Sequence, residues 1–161
     1  MKKIISLLLI LTITLLTTSC ATVDRYEVPY GKTAEFEDGL CFSVERHVFK
    51  DNVKAGIYNY STTPDNIYLL IEIKVTNNTD KTYYAYGTEI WLDWNGVKIS
   101  QVDIVKNFVD GFYSLSQMPT LTKYYTATFE ISKDIPISEL RLVFERREVM
   151  RRLQLQFVIY E

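Results

Sequence analysis

The sequence predicts an all-β protein, an antiparallel β-sandwich of about seven to nine strands. Short segments in which apolar and polar residues alternate recur along the 161 residues, with turn residues between them. No long stretch shows the 3.6-residue period of an amphipathic helix. A closed barrel is the alternative that this pattern leaves open.

The most regular of these segments is Ile67 to Lys81, IYLLIEIKVTNNTDK. Its apolar and polar residues follow the two-residue period of a half-buried strand. The apolar set is Leu69, Ile71, Ile73 and Val75, and the alternating set is Leu70, Glu72, Lys74 and Thr76. The segment ends in Asn77 to Asp80, residue types that favour turns. We therefore expect this segment to be the central strand of the fold.

The first 19 residues are predicted to be a signal peptide. Lys2 and Lys3 form a short positive region, and Ile4 to Leu16 form an apolar run of 13 residues. A membrane-spanning helix needs about 20 apolar residues, whereas a run of this length fits a secretory signal.

The end of this leader, Leu16-Thr17-Thr18-Ser19-Cys20, resembles the lipobox of bacterial lipoproteins. In that motif a small residue precedes a cysteine that is lipidated and becomes the mature N-terminus. The resemblance implies lipid attachment at Cys20 and an extracytoplasmic protein anchored to a bacterial cell membrane or outer membrane. Thr17 departs from the motif, which has Leu at that position. The alternative is an ordinary cleavable signal with an incidental cysteine.

Charge and cysteine content further limit the classes of protein to which this chain can belong. Cleavage before Cys20 leaves 16 basic and 20 acidic residues, a net charge of −4. This negative balance argues against a nucleic-acid partner. With Cys20 lipidated, Cys41 has no partner for an internal disulfide, and we expect it to be a small buried residue in an apolar strand.

The mature chain divides into a lipidated N-terminus with a tether, residues 20–32, and a sandwich domain, residues 33–161. Alternation and turn residues predict strands near Thr33–Phe36, Leu40–Phe49, Ile67–Asn77, Tyr83–Tyr86, Ile90–Trp94, Val97–Ile99, Tyr125–Ile131, Leu140–Phe144 and Leu153–Ile159. Asn95-Gly96 predicts a type I′ hairpin turn, because both residues accept a positive φ. Lys50–Asn66 and Gln101–Pro119 are expected to be loops.

One core between two sheets is predicted from the apolar faces of these strands. The residues expected there are Ile71, Ile73, Val75, Trp94, Phe129, Leu142 and Phe157.

Three segments resemble a family of bacterial secreted lipoprotein domains with an immunoglobulin-like, telokin-like sandwich. They are LLIEIKVTNNTDK, EIWLDWNGVKI and YYTATFEISKDIPISELRLVF. The resemblance implies an immunoglobulin-like sandwich in the cell envelope. Most members of that family have no known function, so it supplies no catalytic or ligand-binding residues. This chain departs from the family in lacking a disulfide and in its short tether.

The sequence offers little for catalysis, and we expect no enzyme activity, cofactor or metal. His47 is the only histidine, which leaves no His cluster for a metal and no evident catalytic triad. Cys41 and His47, six residues apart on one strand, would lie about 20 Å from each other. Phosphate-binding and dinucleotide-binding glycine motifs are absent from the sequence.

Two clusters are candidate binding surfaces. Tyr83, Tyr84 and Tyr86 would offer rigid faces with polar tips to an envelope protein or glycan, although tyrosine is also a common strand residue. A basic group could contact anionic lipid headgroups or envelope polymers, and the alternative is a solvated hairpin tip. That group is Arg146, Arg147, Arg151 and Arg152.

The sequence therefore predicts a lipid-anchored envelope protein that acts as a non-enzymatic binding module. It does not identify the ligand or the oligomeric state. One alternative is an inhibitor or immunity-type lipoprotein that blocks an envelope enzyme with Lys50–Asn66 or Gln101–Pro119. The other alternative is an envelope hydrolase that uses carboxylates.

The lipobox makes a direct prediction for Cys20→Ala. Without the sulfur, the protein should be released from membranes or should accumulate as unprocessed precursor, as judged by membrane fractionation. Mass spectrometry of the wild-type protein should show a lipidated Cys20 at the N-terminus. An unlipidated N-terminus downstream of Cys20 would contradict the prediction.

Overall fold

The structure, a computed structural model, describes residues 22–36, 39–55, 57–84, 88–102, 116–147 and 151–160. Thirteen strands make up most of this part of the chain. They are β1 (Thr22–Val28), β2 (Thr33–Glu35), β3 (Leu40–Lys50), β4 (Asn52–Ala55), β5 (Tyr58–Ser61), β6 (Asn66–Asn77), β7 (Tyr83–Tyr84), β8 (Thr88–Trp94), β9 (Val97–Ser100), β10 (Ser116–Gln117), β11 (Thr122–Ser132), β12 (Leu140–Arg147) and β13 (Arg151–Val158). A 3₁₀ turn spans Ile137–Glu139. Among the described residues, no helix has the length and apolar character needed to cross a membrane.

Nine of the strands form the two sheets of a sandwich. One sheet has the order β1-β13-β12-β8-β9 and the other has the order β11-β6-β3-β2. All neighbours within these sheets are antiparallel except β1 and β13, which are parallel. The predicted β-sandwich is therefore confirmed. Two short pairs, β4-β5 and β10-β7, accompany the two sheets.

The strand β6 is central to its sheet, as the sequence predicts. It pairs with β11 along one edge, from Asn66 to Thr76, and with β3 along the other. Its predicted apolar set, from Leu69 to Val75, is completely buried, and the alternating residues are partly exposed. The two-residue period thus reports correctly which face of this strand meets the other sheet.

The core is filled by aromatic and aliphatic side chains from both sheets. Phe42 of β3 contacts Phe144 of β12 at a centroid distance of 4.8 Å, and Phe144 contacts Phe157 of β13 at 5.3 Å. Six of the seven residues predicted for the core are almost completely buried. The exception is Trp94, which is partly buried at the margin of the core. Its indole Nε1 donates a hydrogen bond of 2.9 Å to Glu139.

The hairpin predicted at Asn95-Gly96 is present between β8 and β9. Asn95 has φ 50° and Gly96 has φ 85°, so both central residues adopt the positive φ that a type I′ turn requires.

The end of β6 is held by a network of hydrogen bonds around the buried Asn77. Its Nδ2 donates to the carbonyl of Lys81 (2.8 Å), and its Oδ1 accepts from the backbone N–H and the hydroxyl of Thr79 (3.0 and 2.7 Å). Gly39 lies against this turn with φ +83°, and a Cβ there would come within 2.7 Å of Thr79 Cγ2. The turn and the start of β3 therefore fit together only with glycine at position 39.

The prediction of a tether over residues 20–32 is wrong for Thr22–Val28, which form β1. This strand pairs in parallel with β13, from Thr22 opposite Arg151 to Val28 opposite Phe157. Apart from Val28, its described side chains are exposed or partly exposed. Backbone pairing at a sheet edge holds the strand, and such a strand needs no apolar period in its sequence.

The predicted loop Lys50–Asn66 is also wrong in part, because it contains the hairpin of β4 and β5. Val53 and Tyr60 from this hairpin pack with Tyr68, Leu70 and Val102 in a second, smaller apolar cluster. In the other predicted loop, Gln101–Pro119, residues 103–115 lie outside the described part of the chain.

Substitution of neighbouring residues on β6 tests this register. Ile73→Ala should lower the free energy of unfolding by about 2–5 kcal/mol, because a fully buried side chain is truncated. Lys74→Ala, on the opposite face, should change it by less than about 0.5 kcal/mol. Denaturant titration of the full chain in mild detergent measures both, and equal effects would contradict the register.

Candidate functional site

A groove lies on the outer face of the four-stranded sheet, the face turned away from the main core. Its volume is about 400 Å³. Three neighbouring strands line it with Arg46, Val48 and Lys50 from β3, Leu70 and Glu72 from β6, and Thr126 from β11. The register places Arg46 and Thr126 opposite Glu72, and Val48 opposite Leu70. The groove is therefore lined by side chains that the two-residue alternation of β3, β6 and β11 directs to the same face.

A β-bulge between Val44 and Arg46 determines which residues of β3 line the groove. Before the bulge, Phe42 and Val44 are buried in the main core. After it, Arg46 and Val48 lie on the outer face, and the intervening His47 lies on the core side. An extra residue in one strand reverses the facing of every later side chain. Without the bulge, the Arg46 side chain would point toward the core.

The charges of the groove are unequal. Arg46 Nη2 donates to Glu72 Oε2 at 2.9 Å, and both side chains keep contact with solvent. Such a partly exposed pair adds little to stability, at most about 1 kcal/mol. Lys50 has no ion-pair partner among the residues that the structure describes. Two cations and one carboxylate thus give the groove a net positive charge.

The apolar floor of the groove consists of Val48 and Leu70. Leu70 also packs against the smaller apolar cluster of Val53 and Tyr68, which joins the β4–β5 hairpin to the outer face. Burial raises the pKa of the Tyr68 hydroxyl, and the nearby Glu130 carboxylate raises it further. Tyr68 is therefore neutral and buried, and it supports the β4–β5 hairpin. The hairpin lies beside the apolar floor of the groove.

Cys41 and His47 share β3, as predicted, but lie on opposite faces of the sheet. Cys41 is buried, and its Sγ accepts a hydrogen bond from Asn78 Nδ2 at 3.2 Å. Burial raises the pKa of the Cys41 thiol, and the carboxylate of Glu35, opposite it on β2, raises it further. The ring of His47 meets Phe49 edge-on at 5.8 Å. Within the described ranges, no three His, Cys, Asp or Glu residues are grouped to hold a metal.

The predicted tyrosine surface is placed only in part. Tyr83 and Tyr84 form β7, which pairs with β10, but their side chains are not described. Tyr86 lies outside the described residues. The prediction of a binding surface there stays open.

The predicted arginine cluster is divided between the two faces of its sheet. The Arg146 guanidinium lies 5.8 Å from the ring centroid of Phe36, on the core side. Arg152 lies on the outer face, 3.9 Å from Glu145. Arg147 is opposite Arg152 in the ladder, and the side chains of Arg147 and Arg151 lie outside the description. Arg146 and Arg152 therefore do not share one patch.

The outer face of the five-stranded sheet carries two carboxylates directly opposite each other, Glu145 on β12 and Glu89 on β8. Glu145 is buried, and its Oε2 accepts a hydrogen bond of 2.7 Å from Gln154. Glu89 accepts one of 2.9 Å from Lys98. Sequence reasoning missed this pair because the two residues are far apart in the chain. Both carboxylates are hydrogen-bonded to side chains of the same sheet, so we interpret the pair as structural.

The fold is similar to those of solved bacterial β-sandwich proteins. An uncharacterized β-sandwich protein from Clostridium difficile 630 has a TM-score of 0.53 at 15% identity, covering 84% of this chain and 95% of that chain. The yjhA protein from Bacillus subtilis has a TM-score of 0.54 at 13% identity, covering 80% and 98%. At these identities the likeness shows the fold alone.

A candidate lipoprotein from Bacillus subtilis, ycdA, has a TM-score of 0.51 at 12% identity. The match covers 77% of this chain but only 37% of that chain. No protein-family model and no curated protein sequence matches this chain.

The surroundings of Cys41 predict how fast it reacts. Glu35→Gln removes a charge that raises the thiol pKa, so more thiolate should be present at pH 8 and iodoacetamide should modify Cys41 severalfold faster. Peptide mass spectrometry of the full chain gives the rate. Asp134→Asn, a similar neutralisation at an exposed turn, is the control and should leave the rate unchanged. An unchanged rate in Glu35→Gln would show that burial alone controls the thiol.

Proposed function

We propose that the protein is a lipid-anchored envelope domain that binds an envelope protein or glycan in the outer-face groove and catalyses no reaction. The lipobox at Cys20 supports the anchor. The similarity in fold to a candidate lipoprotein supports the same address.

The groove itself is the observation that carries the proposal. Its volume of about 400 Å³ lies within the range of ligand sites, and its lining has the usual composition of an apolar floor with a few charged groups. Val48 is 40% exposed, so the floor is open to a ligand. The guanidinium of Arg46 and the ammonium of Lys50 would orient an anionic group, and Val48 and Leu70 would contact an apolar part beside it.

The arrangement of reactive groups supports binding without catalysis. Glu72 is the one carboxylate among the described residues that line the groove, and it is paired with Arg46. Acid–base catalysis of glycoside hydrolysis requires two carboxyl groups. The Cys41 thiol has a raised pKa, which opposes nucleophilic use. His47 lies on the other face of the sheet and cannot activate that thiol.

A second candidate function, inhibition of an envelope enzyme by a protruding loop, is favoured by the tip of the β4–β5 hairpin. Ile57 is 87% exposed and Tyr58 is 56% exposed there. Exposed apolar residues at a hairpin tip suit insertion into a partner's cleft. Ile57→Asp would abolish that mode and leave groove binding unchanged.

The groove is tested by Val48→Glu, which adds a carboxylate to the exposed floor without cutting into the core. Capture of envelope partners by the immobilised full chain, followed by mass spectrometry, should fall by about tenfold, as for an unfavourable charge in a binding site. Val97→Glu is the matched control, because Val97 is a similarly exposed strand valine on β9 of the other sheet (55%). Equal loss in both variants would contradict a role for the groove.

The absence of chemistry is tested by the double variant Cys41→Ala/His47→Gln. It should capture the same partners as the wild-type protein, because neither side chain lines the groove. A set of alanine substitutions at Tyr83, Tyr84 and Tyr86 tests the tyrosine surface in the same assay. If the double variant folds and loses its partners while Val48→Glu keeps them, the proposal is wrong.

A further inference from the structure

Half of β3 forms a sheet edge whose far side has no strand neighbour among the described residues. β2 pairs with β3 only from Cys41 to Ser43, whereas β6 pairs with β3 as far as Lys50. From Glu45 to Lys50, β3 therefore pairs on one side only within the described part of the chain. Backbone N–H and C=O groups on the open side of such an edge can accept another strand.

This edge combines charged side chains, which commonly protect a sheet edge, with two exposed apolar ones. Natural edges are usually protected by charges, bulges or very short strands. Here the bulge lies at the start of the open segment, and the register continues regularly from Arg46 to Lys50. Val48 on the outer face and Phe49 on the core side remain 40% and 42% exposed. An added strand would cover apolar surface on both faces.

The charge pattern of the edge indicates what kind of strand would fit. On the outer face the order is Arg46, Val48, Lys50, so the two cations flank one apolar residue. Opposite charges directly across a ladder stabilise it, and like charges destabilise it. A second copy paired symmetrically about Val48 would place Arg46 opposite Lys50. An acidic–apolar–acidic strand fits this edge better than a second copy does.

We propose that the segment Arg46–Lys50 of β3 binds an extended acidic peptide segment of a partner protein as an added strand. This inference rests on the proposed binding function and names the class of partner. The backbone of the peptide pairs with the open side of β3, two of its carboxylates face Arg46 and Lys50, and its central apolar side chain lies beside Val48 at the groove. Recognition of this kind takes affinity from main-chain hydrogen bonds and specificity from alternate side chains.

A palindromic peptide tests the proposal whichever way the strand runs. The probe is Glu-Thr-Val-Thr-Glu with blocked ends and a fluorophore, titrated against the full chain in mild detergent at low salt. Anisotropy should report saturable binding, and hydrogen exchange should show protection of backbone amides between Glu45 and Lys50. Lys-Thr-Val-Thr-Lys should bind at least about threefold more weakly, because its charges repel the edge. Equal binding of the two peptides would overturn the proposal.

Charge reversal on the protein provides the second test. Lys50→Glu should weaken binding of the acidic peptide by about three- to tenfold and strengthen binding of the basic peptide. Lys50 is exposed and has no ion-pair partner in the described part of the chain, so the fold should persist. Lys123→Glu, an exposed lysine at the start of β11, is the matched control and should change neither affinity. In Lys50→Glu the preference for the acidic peptide should therefore be lost, and an unchanged preference would contradict the assignment.

An acidic peptide methylated on alternate backbone nitrogens separates this inference from the groove proposal. It keeps the side chains but cannot complete the ladder, so it should not bind. If it binds as well as the parent peptide, strand addition is wrong, and the groove recognises side chains alone. If no peptide binds while Val48→Glu still loses envelope partners, strand addition is wrong and the groove proposal stands. Dimers of the full chain that become tighter in Lys50→Glu, where symmetric pairing would put the new carboxylate opposite Arg46, would assign the edge to self-association and overturn the proposal.

Discussion

The structure depends on the double pairing of β6, whose backbone is hydrogen-bonded on both sides over most of its length. Because both neighbours fix its register, its inward side chains have one possible facing, and the opposite sheet packs against them. The hydrogen bonds of Asn77 end the strand at a defined residue. A slip by one residue would expose Leu69 to Val75 and bury a lysine and a glutamate, at a cost far above the net stability of a domain.

Two departures from regular strand pairing produce the groove and the open sheet edge. The bulge in β3 lets one strand serve the core with its first half and the groove with its second half. The shortness of β2 then leaves that second half open along one side. Neither departure changes the central packing, so the outer face can differ between proteins of similar fold without loss of the core. Low sequence identity at a similar fold is consistent with that division.

The sequence predicts well those parts in which a side-chain pattern and a backbone conformation have the same cause. The buried set of β6 and the Asn95-Gly96 turn follow from a two-residue period and from a tolerance of positive φ. A strand that is held by backbone pairing and has no buried face shows no two-residue period in its sequence. The sequence therefore did not predict β1. The groove escaped for a different reason. Its residues alternate as β3 and β6 both require, but their facing depends on the bulge near Arg46, and no residue type marks that bulge in the sequence.

The parallel pairing of β1 with β13 also determines how the sandwich would be oriented relative to a lipid anchor at Cys20. Thr22 lies opposite Arg151, and a single residue separates it from Cys20, a span of at most about 7 Å. With a diacylglycerol on Cys20, the end of the sandwich at which β12 ends and β13 begins would rest at the lipid headgroups. The domain would then stand on that end with its strands inclined away from the bilayer. Its opposite pole, which includes the Asn95-Gly96 turn, would point into the surrounding space, and the long sides of both sheets would be accessible to molecules that diffuse along the membrane.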